Sequence, residues 1–477
     1  MILTLDLGSS TTKAVVWDPG GIGARGEAPL ETSFPAGGRA EQDPGRWWPA
    51  VVAACAGARA ENPEAFAAVE AVGFAAARQT IVAVSGGGEP LGPALLWSDR
   101  RASAEAARLA ESLGGAESVH RLTGGVLDGA AVAAKAAWLA AHEPDRLAAS
   151  RWLLTPRDLA VLQMTGRPVT DSSMVSAAGL SDRSGKLVPA LVEALGPRLP
   201  EILAPGAVAG PLLAGAAAQL GLRGGVPVVV GAGDRACEVL GTGARPERPM
   251  VSWGTTANFS VPVGAFPDPV PDGLIVSRAA VEGFLLEGGL SAAGSLFSWL
   301  SGLTGLDPET LMARAALCPP GAGGVIALPW FGGARAPWWR DGARGGFVGL
   351  SFDHDAGHLA RAVLEAVARE VLRCLRISAA PAASLALTGA DGTRAPWAEV
   401  VGAVTGLPVV RRRSGQAASA GAALLAAAAI GADYELDAMD PVLDTVVPDR
   451  STVERYAELT DAADAAARAV LPLGDGV

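Results

Sequence analysis

The chain has 477 residues, enough for two or three domains with substantial cores. Hydrophobic residues make up 50% and charged residues 18%, which excludes a disordered chain. The net charge of -11 argues against nucleic acid and anionic membranes as partners.

The N-terminal run "ILTLDLG", the connector "SSTT" and the run "KAVVWD" predict a β-hairpin with a small polar turn. No basic n-region precedes it, so no signal peptide is expected. Cys55, Cys237, Cys318 and Cys374 lie far apart with no C-x-x-C pair, which fits a reducing, cytoplasmic setting. A helix follows over about Pro44 to Arg59. A strand in "VEAVGFAAA" ends near Arg78, and "TIVAVS" leads through a Gly-rich turn to "PALLWSDRRA". A helix over Ala102 to Leu113 comes next, and Ala/Leu-rich helices fill positions 130 to 200. Valines 228–230 predict a buried strand, Gly231-Ala232-Gly233 a turn, and Ala236 onward a helix.

A second set opens near Pro249. "MVSWGTTANFSVPV" again reads as strand, Gly/Thr turn, strand. A long amphipathic helix from His358 to about Arg376, a strand "SLALTG" and a helical "AGAALLAAAAIG" follow. The apolar run from Ala417 to Ala432 is shorter than the roughly 20 residues that span a bilayer. Two halves opening on similar hairpins predict a duplicated α/β domain with a cleft between. The boundary falls in "GTGARPERP", giving domains 1–245 and 246–477.

The turn "GAGDRA" spells G-x-G-x-x-A, a dinucleotide fingerprint. That motif needs an acidic residue about 20 positions on, after the next strand. Glu247 lies before that strand, and Asp234 inside the turn would repel a pyrophosphate. A P-loop run is absent from the sequence. The first hairpin offers another phosphate site. Amides and hydroxyls of Ser9, Ser10, Thr11 and Thr12 can surround phosphate oxygens, Lys13 adds charge, and Asp6 can hold Mg²⁺. His354 and His358, four apart, could share a metal, but no third ligand pattern accompanies them, so no transition metal is assigned.

In order along the chain stand "LDLGSSTTKAVVWD", "GAGDRACEVLGTG", "SWGTTANF", "LPWFGGARAPWW" and "GGFVGLSFDHDAGHLARAVLEA". Together they resemble the FGGY carbohydrate kinases. Gly345 to Glu365 fits G-x-F-x-G-L, seven residues, then H-L-x-x-A-x-L-E. An earlier signature is met in part, by Lys135 and Trp138.

The resemblance implies a two-domain actin-like ATPase (ribonuclease H-like) α/β fold, with ATP and Mg²⁺ in the cleft. It implies transfer of the γ-phosphoryl group to a sugar hydroxyl, with Asp234 as general base. One carboxylate aimed at the hydroxyl suits that chemistry, because phosphoryl transfer otherwise needs positioning and charge stabilisation. By the same resemblance Asp6 and Asp234 attend the metal, and Ser10 and Lys13 face phosphate. Gly254 and Thr255 form a second phosphate loop, Gly294 lies near the nucleotide, and Gly389 and Ala390 lie against adenine and ribose. Ala390 and Asp391 replace glycines there, which puts close approach of the nucleotide in question. Arg78, Gln79, Trp97 and Asp99 align with substrate segments. Arg235 would touch substrate or phosphate. A pentulose such as xylulose is the first expected acceptor, with polyols, aldonates, other ketoses and a degenerate sugar sensor as alternatives. A homodimer is left open.

Overall fold

The structure is a computed structural model that describes residues 1–389 and 395–472. Ala390 and Asp391 lie outside the described residues.

In the first half, β1 (Ile2–Leu7), β2 (Thr11–Asp18) and β3 (Gly21–Pro29) form an antiparallel meander. On the other side of β1 lies β4 (Ala71–Ala76), parallel to it. An antiparallel edge strand, β5 (Val208–Pro211), and the parallel β6 (Pro227–Val229) complete the order β5-β6-β4-β1-β2-β3. A short β7 (Ala232–Gly233) runs along the end of β4. Every residue of β4 is buried, as a strand covered on both faces requires.

The second half repeats the plan. It contains β8 (Met250–Trp253), β9 (Ala257–Val263), β10 (Ile275–Arg278), β11 (Phe284–Leu290), β12 (Leu385–Thr388), β13 (Val409–Arg412) and β14 (Val442–Val446). Their order is β10-β11-β9-β8-β12-β13-β14. In both halves the first strand has antiparallel neighbours on one side and two parallel strands on the other. This is the duplicated two-domain actin-like architecture.

Among the helices that pack on these sheets or carry residues of the cleft, seven concern the site and its support. These are α1 (Val132–His142), α2 (Pro156–Thr165), α3 (Ser172–Ala177), α4 (Asp234–Thr242), α5 (Gly294–Thr304), α6 (Ala356–Ser378) and α7 (Ala417–Ala429). The helix expected from Ala236 begins two residues earlier, so the Asp234 carboxylate sits in the first turn of α4, where the helix dipole favours negative charge. The helix expected from His358 to Arg376 is α6, which buries Val363, Val367 and Val371 in the second core.

Although α7 belongs to the second half in sequence, it covers the first sheet. Its Ser419 hydroxyl accepts from Trp17 Nε1 at 2.8 Å and lies 2.5 Å from Thr4 Oγ1. α4 packs against α7 backbone to backbone. A Cβ on Gly241 would lie 1.9 Å from the Ala417 carbonyl oxygen, and one on Gly421 would lie 2.0 Å from that of Cys237. Only glycine fits at these two positions. Among the described residues no helix is long and apolar enough to cross a membrane.

Candidate active site

Asp234 ends a chain of hydrogen bonds that starts in the core. Arg157 on α2 is fully buried and donates to Asp158, to Asp171 Oδ2 at 2.6 Å and to the Val230 carbonyl at 2.9 Å. Asp171 caps α3 and accepts from the amide and hydroxyl of Ser173. Ser173 Oγ in turn accepts from the Gly233 amide at 3.1 Å. The loop before α4 is thus fixed from two sides. Gly231 has φ +65°, and a Cβ there would sit 1.7 Å from the Phe74 carbonyl oxygen. The Asp234 side chain keeps 33% exposure, accepts from the Arg235 amide at 2.7 Å, and lies 3.3 Å from Arg78 Nε.

Arg78 just follows β4 but reaches into the other half. Its two terminal nitrogens donate to Glu287 on β11 at 3.0 and 2.9 Å. Glu287 is 4% exposed and also accepts from the Ser277 hydroxyl. Burial alone would raise its proton affinity, but the Arg78 fork overcomes this and holds it below the usual carboxylate range. The Arg78 fork, in a segment expected to meet substrate, is therefore spent on a carboxylate, and its Nε faces Asp234. Arg235 turns to Glu238 on its own helix and lies 3.9 Å from Glu287, so its charge too is spent on carboxylates. Sequence reasoning missed Glu287, Glu238, Asp171 and Arg157. The "DSS" of residues 171–173, a helix-cap pattern, was the one available signal.

Asp6 ends β1 opposite Lys13, and the pair flanks the Ser9–Ser10 turn. Desolvation raises Asp6 to about 7; Lys13 opposes the rise, and the charges of Asp234 and Glu238 add to it. Asp6, Asp234 and Glu238 thus feel one another. This all-oxygen, like-charged donor set fits a hard dication. The three do not close into a ligand trio. Among the described residues, the one set of three ligand atoms within 4.8 Å is Cys318, Asp355 and His358, with Asp355 and His358 joined in the cap of α6. A cation at Asp6 and Asp234 would draw its remaining ligands from water and phosphate.

The second-half residues converge. The Gly254 carbonyl accepts from the Gly294 amide at 2.9 Å, and the Thr255 carbonyl accepts from the amides of Ala293 and Ser295, each at 3.1 Å. This docks the β8–β9 turn on the N-terminus of α5. Gly389 has φ +98°, and a Cβ there would meet the Trp253 carbonyl oxygen at 2.1 Å, so it borders the same turn.

On the first half, Trp97 Nε1 donates to Ser9 Oγ at 3.4 Å, which places the indole at the phosphate turn. Gln79 donates to the Ala177 carbonyl at 3.2 Å. Asp99 is corrected by the structure. Expected in a segment that meets substrate, its carboxylate is instead fully buried and accepts from the Ala40 amide at 2.7 Å and from Arg101. Burial would raise it, but Arg101 and these amides hold it below its ordinary range. It braces the segment instead. Thr12 is buried within β2 and presents no hydroxyl to solvent. Trp338 donates to Glu370 at 2.9 Å, whereas Trp339 faces the cleft.

The FGGY carbohydrate kinase N-terminal domain matches residues 1–241, and the FGGY C-terminal domain matches residues 250–430. The chain belongs to the FGGY family of carbohydrate kinases. It is an ATP-dependent phosphotransferase acting on sugar hydroxyls. A xylulose kinase of Streptomyces rubiginosus is 31% identical, over 97% of this chain and 96% of that one. A glycerol kinase of Trichlorobacter lovleyi is 32% identical, over 90% of each. The crystal structure of a xylulose kinase from Rhodospirillum rubrum superposes with a TM-score of 0.86 at 28% identity, covering 99% of both chains.

Proposed function

We propose that this FGGY kinase phosphorylates an acyclic sugar, a pentulose such as xylulose, and that Asp234 takes the proton of the accepting hydroxyl. The observation that carries this is the Asp234 carboxylate. It keeps 33% exposure, and Arg78 and the Arg157–Asp171–Ser173 chain hold it from behind. A hydroxyl approaching that carboxylate gains a proton acceptor as it attacks the γ-phosphorus. The Ser9–Lys13 turn and the Gly254–Thr255 turn supply amides, hydroxyls and one ammonium to the phosphates. Bound Mg²⁺, held at Asp6 and Asp234, would neutralise developing phosphate charge. The xylulose kinases among its relatives support the pentulose. The polyol alternative rests on the glycerol kinases of like identity.

The test is Asp234→Asn in an ADP-release assay over pentuloses, polyols and aldonates. Loss of a general base predicts a fall in kcat of about 10²–10⁴-fold, with the urea midpoint unchanged. Near-normal turnover sinks the assignment. Wild-type enzyme that binds no ATP by calorimetry, with or without sugar, supports a sensor instead.

A further inference from the structure

A second cluster of ligand-bearing side chains lies in the second half and shares no residue with the cleft. The helix Pro308–Leu317 packs on α6, with Leu311 and Ala315 in one core with Ala360 and Val363. Just past its end stands Cys318, a free, partly exposed thiol. At the start of α6 stand Asp355 and His358. One ligand atom from each of the three lies within 4.8 Å of the other two.

Backbone contacts fix this convergence. A Cβ on Gly357 would lie 3.2 Å from the Arg314 carbonyl oxygen, so the first turn of α6 is pressed against the last turn of the helix before Cys318. Pro319 and Pro320 follow Cys318, and the next amide, that of Gly321, donates to the buried Glu365 carboxylate on α6 at 2.8 Å. Cys318 is thus held against α6 from both sides.

The local hydrogen bonds leave three ligand atoms unspent. Asp355 uses Oδ1 for the amides of Gly357 and His358 and for His358 Nδ1, the last at 2.7 Å. His358 Nδ1 therefore carries the proton, and Nε2 keeps its lone pair, the tautomer that a carboxylate imposes on a metal-binding imidazole. Among the described residues, Asp355 Oδ2, His358 Nε2 and Cys318 Sγ have no hydrogen-bond partner. His354, which spacing alone pairs with His358, is spent: its Nδ1 accepts from the Ser351 amide at 2.9 Å, and its Nε2 donates to the Gly323 carbonyl at 3.1 Å. The charges point the same way. The His358 bond holds Asp355 below its ordinary range, while burial first and the Asp355 charge second raise the Cys318 thiol. Arg361 opposes that rise but is itself tied to Glu365 and Tyr456.

We propose that Cys318, Asp355 and His358 bind a borderline-soft divalent cation, Zn²⁺, which clamps the Cys318 loop to the first turn of α6. One thiolate, one imidazole and one carboxylate are three of the four ligands that tetrahedral Zn²⁺ takes, and water supplies the fourth. Side-chain exposures of 25% at His358 and 60% at Asp355 leave an entry path from solvent. On binding, the thiol gives its proton to solvent and a sulfur–zinc bond replaces it. The same donors reject Mg²⁺, which takes oxygen ligands in near-octahedral geometry. The site therefore differs from the acids at Asp6 and Asp234 in chemistry as well as place.

The experiment uses the full chain, stripped with EDTA and kept in saturating Mg²⁺ to fill oxygen-only sites. Zn²⁺ is titrated against a chromophoric chelator, and Co²⁺ is followed by absorption. One Zn²⁺ per chain is expected, with a Kd of about 1 µM or below. Co²⁺ should develop a thiolate-to-metal charge-transfer band. Cys318→Ser should remove that band and weaken Zn²⁺ by at least about 100-fold, because even an outer partner of a metal ligand is worth roughly 10–100-fold. His358→Gln should weaken Zn²⁺ likewise, and His354→Ala should leave its Kd unchanged. Zn²⁺ should raise the urea midpoint of wild type and not that of Cys318→Ser. Absence of Zn²⁺ binding in saturating Mg²⁺ overturns the proposal. So does Zn²⁺ binding that survives Cys318→Ser, or that falls as far in His354→Ala as in His358→Gln. A wild-type Co²⁺ spectrum without the thiolate band overturns it too, and that measurement needs no variant to fold.

Discussion

Replacing Glu287 with Gln removes one charge and almost no volume. Arg78 then keeps Asp234 as its sole anionic partner among the described residues, and the two halves lose their bidentate bridge. At 2.9–3.0 Å and an effective dielectric of 20, one such pair is worth about 5 kcal/mol of Coulomb energy before desolvation. Removing one partner of a buried pair typically costs about 3–5 kcal/mol, because the other charge stays buried alone. With Arg78 18% exposed and still 3.3 Å from Asp234, the lower end of that range applies. Glu287 titrates lower in the folded chain than in the unfolded one, so its contribution is present above the unfolded value of 4.5 and lost as pH falls through the folded value. Urea unfolding of both proteins at several pH values reads this directly. The stability gap should hold at about 3 kcal/mol from pH 6 to 8 and narrow below about pH 4.5. A gap under about 1 kcal/mol at pH 7, the scale of an exposed pair, or one that persists unchanged at pH 3, refutes the buried bridge.

Gly231→Ala should cost at least about 1–2 kcal/mol for the left-handed backbone alone. Its Cβ would also push the loop off Phe74, and displacing Asp234 by about 1 Å should cut kcat about 100-fold. Normal kcat in the purified variant would mean the loop relaxes without moving the carboxylate. Arg157→Ala strands Asp158 and Asp171 without their shared cation and should destabilise the protein by about 3–5 kcal/mol by urea unfolding. A loss under about 1 kcal/mol would show that water replaces the guanidinium.

Both hairpins and the halves they open were legible because turn chemistry is local: small polar residues between two apolar runs specify the hairpin by themselves. Asp234 stood out in the sequence for the opposite reason, since a carboxylate among glycines spoils a phosphate loop, and the structure sets it 3.3 Å from Arg78 Nε. Glu287 was not legible. It sits mid-strand in "FLLEGG", and its partner is 209 residues away. Asp99 misled because "SDRRA" reads equally as an exposed acid or as an acid locked to its i+2 arginine, and only burial separates the two. The start of α4 was placed late because glycines hid a carboxylate in its first turn. The placement of α7 on the first sheet could not be read at all. An Ala/Gly helix that is apolar all round carries no stripe to say which sheet it covers.

That placement has a consequence for biosynthesis. The first sheet leaves the ribosome early, yet Thr4, Trp17 and Gly73 wait for a helix near the far end of the chain. At ordinary translation rates of about 5–20 residues per second, the interval between the first half and α7 is on the order of 10–40 s. During it the nascent sheet shows a flat apolar face with no cover. The half made first is thus the half finished last, and that open face is where a chaperone, or a neighbouring nascent chain, would find this protein.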